Sequence, residues 1–68
     1  MPSLSEDDVL DAVRHKMRSD PKFRQDLAGA VEAKNNSWIA RLIRMAVGVV
    51  VEIGRAVLAT VVGWFLGG

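Results

Sequence analysis

WIARLIRMAVGVVVEIGRAVLATVVGWFL, residues Trp38 to Leu66, is the stretch whose reading decides the fold. As one helix its 29 residues would rise roughly 43 Å at about 1.5 Å each, enough to cross a bilayer with its interfaces. Only Arg41, Arg44, Glu52 and Arg55 carry charge within it. A helix this long and this apolar cannot stay exposed to water as a single copy, so it is expected in lipid or locked into an oligomer. The predicted fold is therefore all-α and oligomeric, with a short N-terminal helical hairpin over 1–37 and one long apolar helix over 38–68, read as a single transmembrane span.

The ends of that stretch fit the membrane reading. Trp38 lies at one end and Trp64-Phe65 at the other, as expected where aromatic rings settle at the two headgroup levels. Arg41 and Arg44 fall within two turns of the aqueous end and could snorkel to phosphate. Trp38, Arg41, Arg44, Trp64 and Phe65 are thus the expected membrane-interface residues, with lipid as the partner.

Glu52 and Arg55 fall near mid-span, where an isolated charge costs at least about 2.5 kcal/mol. Three residues apart, they share a helix face and can pair. At 100° per residue, Arg41, Arg44, Gly48, Glu52, Arg55 and Ala59 occupy an arc of about 80°. Gly48, Ala56, Ala59, Thr60, Gly63 and Gly67 are small enough for close helix approach, and Ala59, Gly63 and Gly67 recur at every fourth position. Gly48, Glu52, Arg55, Ala59 and Gly63 are accordingly the expected oligomerisation or pore-lining stripe of a homo-oligomer.

Working outward, the rest of the chain differs in kind. Residues 1–36 hold six Lys/Arg and seven Asp/Glu, against three and one in 37–68. Lys34, Arg41 and Arg44 precede the apolar run and nothing charged follows Arg55, which predicts a cytoplasmic N-terminus and a tail-anchored, single-pass protein. Met1 to Asp11 lacks the basic start and apolar run of a secretory signal. With 68 residues and no cysteine, neither a large core nor a disulfide framework is available to the monomer.

Within the polar half, Ser5 can cap a first helix whose opening turn holds Glu6, Asp7 and Asp8, with Leu4 and Val9 placed as a hydrophobic staple. Val9, Leu10, Val13 and Met17 give that helix a narrow apolar stripe. Asp20-Pro21 ends it and starts a second, about Pro21 to Lys34, with Phe23, Leu27, Ala30 and Val31 on one face. The two stripes are expected to meet, in a hairpin marginal by itself: about eight apolar side chains at roughly 1.5–3 kcal/mol each must order some thirty residues. Asn35-Asn36-Ser37 offers cap chemistry before Trp38, although helix two could also run on.

The residue inventory excludes several functions. There is no Cys, Tyr or His pair and no Gly-rich phosphate loop, so no enzyme, catalytic residue, metal or cofactor is expected. His15, the one histidine, has no second ligand at metal spacing. Arg14, Lys16, Arg18, Lys22 and Arg24 against Asp20 give a local charge of +4, which reads as a solvated face. Nucleic acid is not an expected partner, because no aromatic residues interleave these cations and the Ser19-Asp20-Pro21 turn lacks the glycine of a helix-turn-helix.

Asp20-Pro21-Lys22-Phe23-Arg24-Gln25-Asp26-Leu27 resembles leader segments of ribosomally made peptide products. The resemblance implies a membrane-permeabilising active portion beyond Asn36. It covers eight residues, and the Gly-Gly of such cleavage junctions stands here at 67–68, so no family is assigned from it.

Three functions fit these expectations. The first is a small membrane scaffold or accessory subunit that self-assembles through its C-terminal helix and offers residues 1–37 to a cytosolic protein. The second is an oligomeric pore-former of holin, toxin or bacteriocin type. The third is a soluble helical homo-oligomer with the apolar helix at its centre.

Overall fold

Ser5 opens α1 (Glu6–Ser19) with a reciprocal cap: its Oγ accepts from the Asp8 N–H at 3.1 Å, and its own N–H donates to Asp8 Oδ2 at 3.3 Å. Glu6, Asp7 and Asp8 in the first turn and Lys16 and Arg18 in the last complement the helix dipole. In this computed structural model, which describes residues 4–49 and 51–67, α1 buries Val9 and Val13 and half-buries Leu10 and Met17.

Asp20 leaves helical geometry and starts α2 (Pro21–Glu32). Its Oδ1 accepts from the Lys22 and Phe23 N–H groups at 3.1 and 3.2 Å, and Pro21 fills the first turn, where no N–H is needed. Phe23, Leu27, Ala30 and Val31 are buried, the face their spacing predicts.

The end of α2 decides whether it continues into the apolar half. It closes in a Schellman turn, the Lys34 N–H donating to Val31 O at 3.0 Å and the Asn35 N–H to Ala30 O at 3.1 Å. Lys34 takes the left-handed φ of 57° that this turn requires. Asn35 then caps α3 (Asn36–Val47), its Oδ1 accepting from the Trp38 N–H at 3.1 Å. Two helices therefore meet here, not one.

On α3, Ile39, Leu42 and Ile43 face inward while Arg41, Arg44 and Met45 face water. The helix stops at Gly48, whose φ is 83°. A Cβ there would meet nothing within 4 Å, so glycine is required by backbone conformation and not by crowding.

This stop corrects the expectation of one helix over 38–66, which is replaced by α3 and α4 (Arg55–Leu66). None of the described residues between Gly48 and Gly54 is helical. Two glycines bracket a run rich in β-branched side chains, which lose χ1 freedom in a helix. The run finds other support: Ile53 packs on the core, and the Arg44 Nε–H donates to Val51 O at 3.0 Å. Val50, inside the expected span, lies outside the described residues, as do residues 1–3 and Gly68 at the ends of the two expected segments. Among the described residues no helix is long and apolar enough to cross a membrane, so the expected transmembrane helix is absent from this fold.

The turn sends α4 back over the other helices. α3 packs across α1 and α2, and α4 touches all three. Val57 and Val61 of α4 join Val9, Val13, Phe23, Leu27, Ile39, Leu42 and Ile43 in one buried cluster. Leu58, Val62, Trp64 and Phe65 pack on its edge. The hairpin thus gains from α3 and α4 the apolar contacts that its own two stripes lack. Among the described residues the structure is all-α, four helices with no strand and no buried polar side chain. Its radius of gyration is 11.1 Å, close to the roughly 11 Å of a globular chain of this length.

Candidate functional site

The break at 48–54 disperses the stripe read from the sequence. Its arc of about 80° presupposed an unbroken helix from Arg41 to Ala59. Instead Arg41 and Arg44 lie on the outward side of α3, Gly48 ends that helix, and Glu52 is exposed in the connecting segment. Arg55 is the first residue of α4. The expected Glu52–Arg55 pair does not form: among the described residues the only ion pair joins Lys16 Nζ to Asp20 Oδ2 at 3.4 Å. Of the stripe, Arg55, Ala59 and Gly63 remain together, four apart on α4 and all exposed.

Nor do the aromatic residues bracket a span. Trp38, 41% exposed at the start of α3, has the Arg41 guanidinium 5.7 Å from its ring centroid. Trp64 is half-buried on α4, and the Arg14 guanidinium of α1 stands 4.8 Å from its centroid. Each tryptophan is therefore half of a cation–π pair. Trp64 and Phe65 also pack on the core, so they tie α4 to the bundle. Arg14 was not among the expected interface residues. It sits fifty positions before Trp64, on a different helix, and no local pattern links the two.

What the structure does assemble is an apolar outer face on α4. After Arg55 this helix reads AVLATVVGWFL, with no charge on any side of it, yet only Val57 and Val61 are buried. At 100° per residue, Ala56, Ala59, Thr60, Gly63 and Leu66 share the opposite arc, and all five are exposed, Leu66 by 73%. The Thr60 hydroxyl donates to the Ala56 carbonyl at 2.8 Å, so its proton is used within the helix. The small residues make the face smooth. A second apolar patch, Met45 at 63% and Val49 at 53% exposure, lies beside Arg41, Arg44 and Gly48.

Local support for α4 is poor. Gly54 offers no side-chain cap, the first turn holds no acidic residue, and Arg55 stands at the positive end of the dipole. Packing through Val57 and Val61, with Trp64 and Phe65 at the edge of the core, keeps it helical and docked.

Other chemistry is sparse. His15 is exposed, and among the described residues no three His, Cys, Asp or Glu side chains gather as metal ligands. The Asp20 carboxyl is held below its ordinary range, chiefly by the Phe23 N–H, with further help from Lys16 and the Lys22 N–H. That shift belongs to the α2 cap and not to a catalytic group. Compared with protein-family models, curated proteins and solved structures, the chain has no match.

Proposed function

We propose that this chain is a small membrane-associated protein that seats the outer face of α4 on a lipid bilayer and serves there as a scaffold or accessory subunit. One observation carries the reading: α4 is uncharged around its whole circumference beyond Arg55, but buries only Val57 and Val61. A helix apolar all round is normally covered all round, and an uncovered apolar face marks a contact surface. Lipid is favoured as its occupant by the Arg14–Trp64 and Arg41–Trp38 pairs, because arginine and tryptophan are side chains with an apolar body and a polar tip suited to the headgroup layer.

A single-pass form of the same chain needs residues 48–54 to join α3 and α4 into one helix, with residues 1–37 kept on the cytoplasmic side for a protein partner. The uncapped start of α4 makes that end of the bundle the least costly to rearrange. Lining a pore with Gly48, Glu52, Arg55, Ala59 and Gly63 requires the same straightening, and no observation favours it over seating.

A second reading places another copy of the chain on the same face. Ala56, Ala59 and Gly63 would let two α4 backbones approach closely, which favours a homo-oligomer. Flotation of the full chain with phosphatidylcholine vesicles, without detergent, separates the two. Seating predicts that wild type floats and that A59E/G63E stays behind. A wild-type chain that ignores vesicles and sediments as a dimer supports self-association instead, and one that ignores them as a dispersed monomer defeats both.

A further inference from the structure

The five cations between Arg14 and Arg24 read as one solvated face in sequence, but the fold sorts them. Lys16 is tied to Asp20, and it lines a separate groove with Asp20, Lys22 and Asp26. Arg14 and Arg18 of α1 and Arg24 of α2 instead open onto a different cleft, shared with Met17, Pro21 and Trp64. Its volume is about 520 Å³, within the range of small-ligand sites. The three arginines are exposed, and Met17 and Trp64 are half-buried.

No carboxylate answers this charge. None of the three arginines forms an ion pair among the described residues, and no Asp or Glu lines the cleft. Asp7 and Asp11 lie in the neighbouring groove with Arg14 and Trp64, out of ion-pair reach of Arg14. Arg14 and Arg18 are four apart on one helix, where like charges repel. Three guanidinium groups from two helices thus line one cleft with no carboxylate in its wall, which gives it the charge to receive an anion. Their planar, forked donors match a phosphate better than lysines would. Met17, Pro21 and Trp64 add an apolar wall for the organic part of the ligand.

We propose that this cleft binds a phosphate group through Arg14, Arg18 and Arg24, with Trp64 beside it. At a bilayer the phosphate is that of an anionic phospholipid headgroup, a source that rests on the seating of α4; the site itself does not.

The test uses the full chain carrying W38F, so that Trp64 is the only tryptophan. Inorganic phosphate, titrated at ionic strength held constant with chloride, shifts Trp64 emission, and R18Q/R24Q abolishes the shift. On vesicles containing phosphatidylglycerol, R18Q/R24Q partitions about 30-fold more weakly than the parent, the change given by two surface charges at about 1 kcal/mol each. K22Q/K34Q makes the same change in net charge outside the cleft and binds within a few-fold of the parent. Equal losses for the two double variants, or Trp64 emission indifferent to phosphate, overturn the site. If the chain ignores vesicles of every composition but Trp64 still answers phosphate through Arg18 and Arg24, the bilayer reading falls and the phosphate site stands.

Discussion

Replacing Gly48 with alanine probes the turn on which the whole arrangement depends. Gly48 holds a φ of 83°, and a Cβ at that position meets nothing within 4 Å. Clash and burial therefore drop out, leaving the cost of a left-handed L-residue, about 1–2 kcal/mol. Part of this is offset because alanine also has fewer unfolded conformations to lose. A net loss near 1 kcal/mol lowers the melting temperature of a domain this size by roughly 4–8 °C. In a continuous helix the same change gains about 1 kcal/mol, so G48A moves the balance between bent and straight forms by about 2 kcal/mol. Gly29 supplies the opposite sign. It is exposed within α2 with open space at its Cβ, and G29A should raise stability by about 0.5–1 kcal/mol. Thermal melts followed by far-UV circular dichroism compare the two. A G48A protein that melts at or above wild type, as G29A should, would refute the bent structure, as would helical Cα shifts through Val49 to Ile53 in wild type.

Further outcomes follow from the caps. Lys34 occupies a left-handed position in the Schellman turn, so K34G should hold or raise stability by up to about 1 kcal/mol, whereas N35A, which removes the α3 cap, should cost about 1 kcal/mol; both are read from denaturant midpoints. R55E places a carboxylate at the positive end of α4 and should stabilise by about 1 kcal/mol, less at high salt; unchanged stability at low salt would mean α4 does not begin there. Folding lowers the Asp20 pKa below its ordinary 3.8. This group's contribution is therefore present above that value and is lost as pH falls through the lower folded value. Melts from pH 6 to 2 should show that acid loss shrink in D20N, and identical acid profiles would contradict the cap.

The polar half could be read from its residues because its signals are local. Ser5 with Asp8, and Asp20 with Pro21, are caps written within four positions, and the stripes Val9/Val13 and Phe23/Leu27/Ala30/Val31 have helical spacing. The apolar half misled because hydropathy cannot tell a spanning helix from a core helix. Val57 and Val61 look the same in sequence as the exposed Ala59 and Gly63, since α4 lacks the polar face that orients α3. Gly48 and Gly54 carried the missing information, but glycines are also common in membrane helices and could be absorbed into one. Arg14 beside Trp64, and Arg14 with Arg18 and Arg24 around a cleft, depend on how α1, α2 and α4 are brought together, which no local pattern encodes.

The most direct measurement places a nitroxide label at Ala59, on the outer face of α4, and another at Asp26, exposed on α2. If α4 seats on lipid, adding vesicles makes the Ala59 label accessible to oxygen and shields it from a water-soluble nickel reagent, while the Asp26 label stays in water. An Ala59 label that remains as water-accessible with vesicles as without them would contradict the seating of α4.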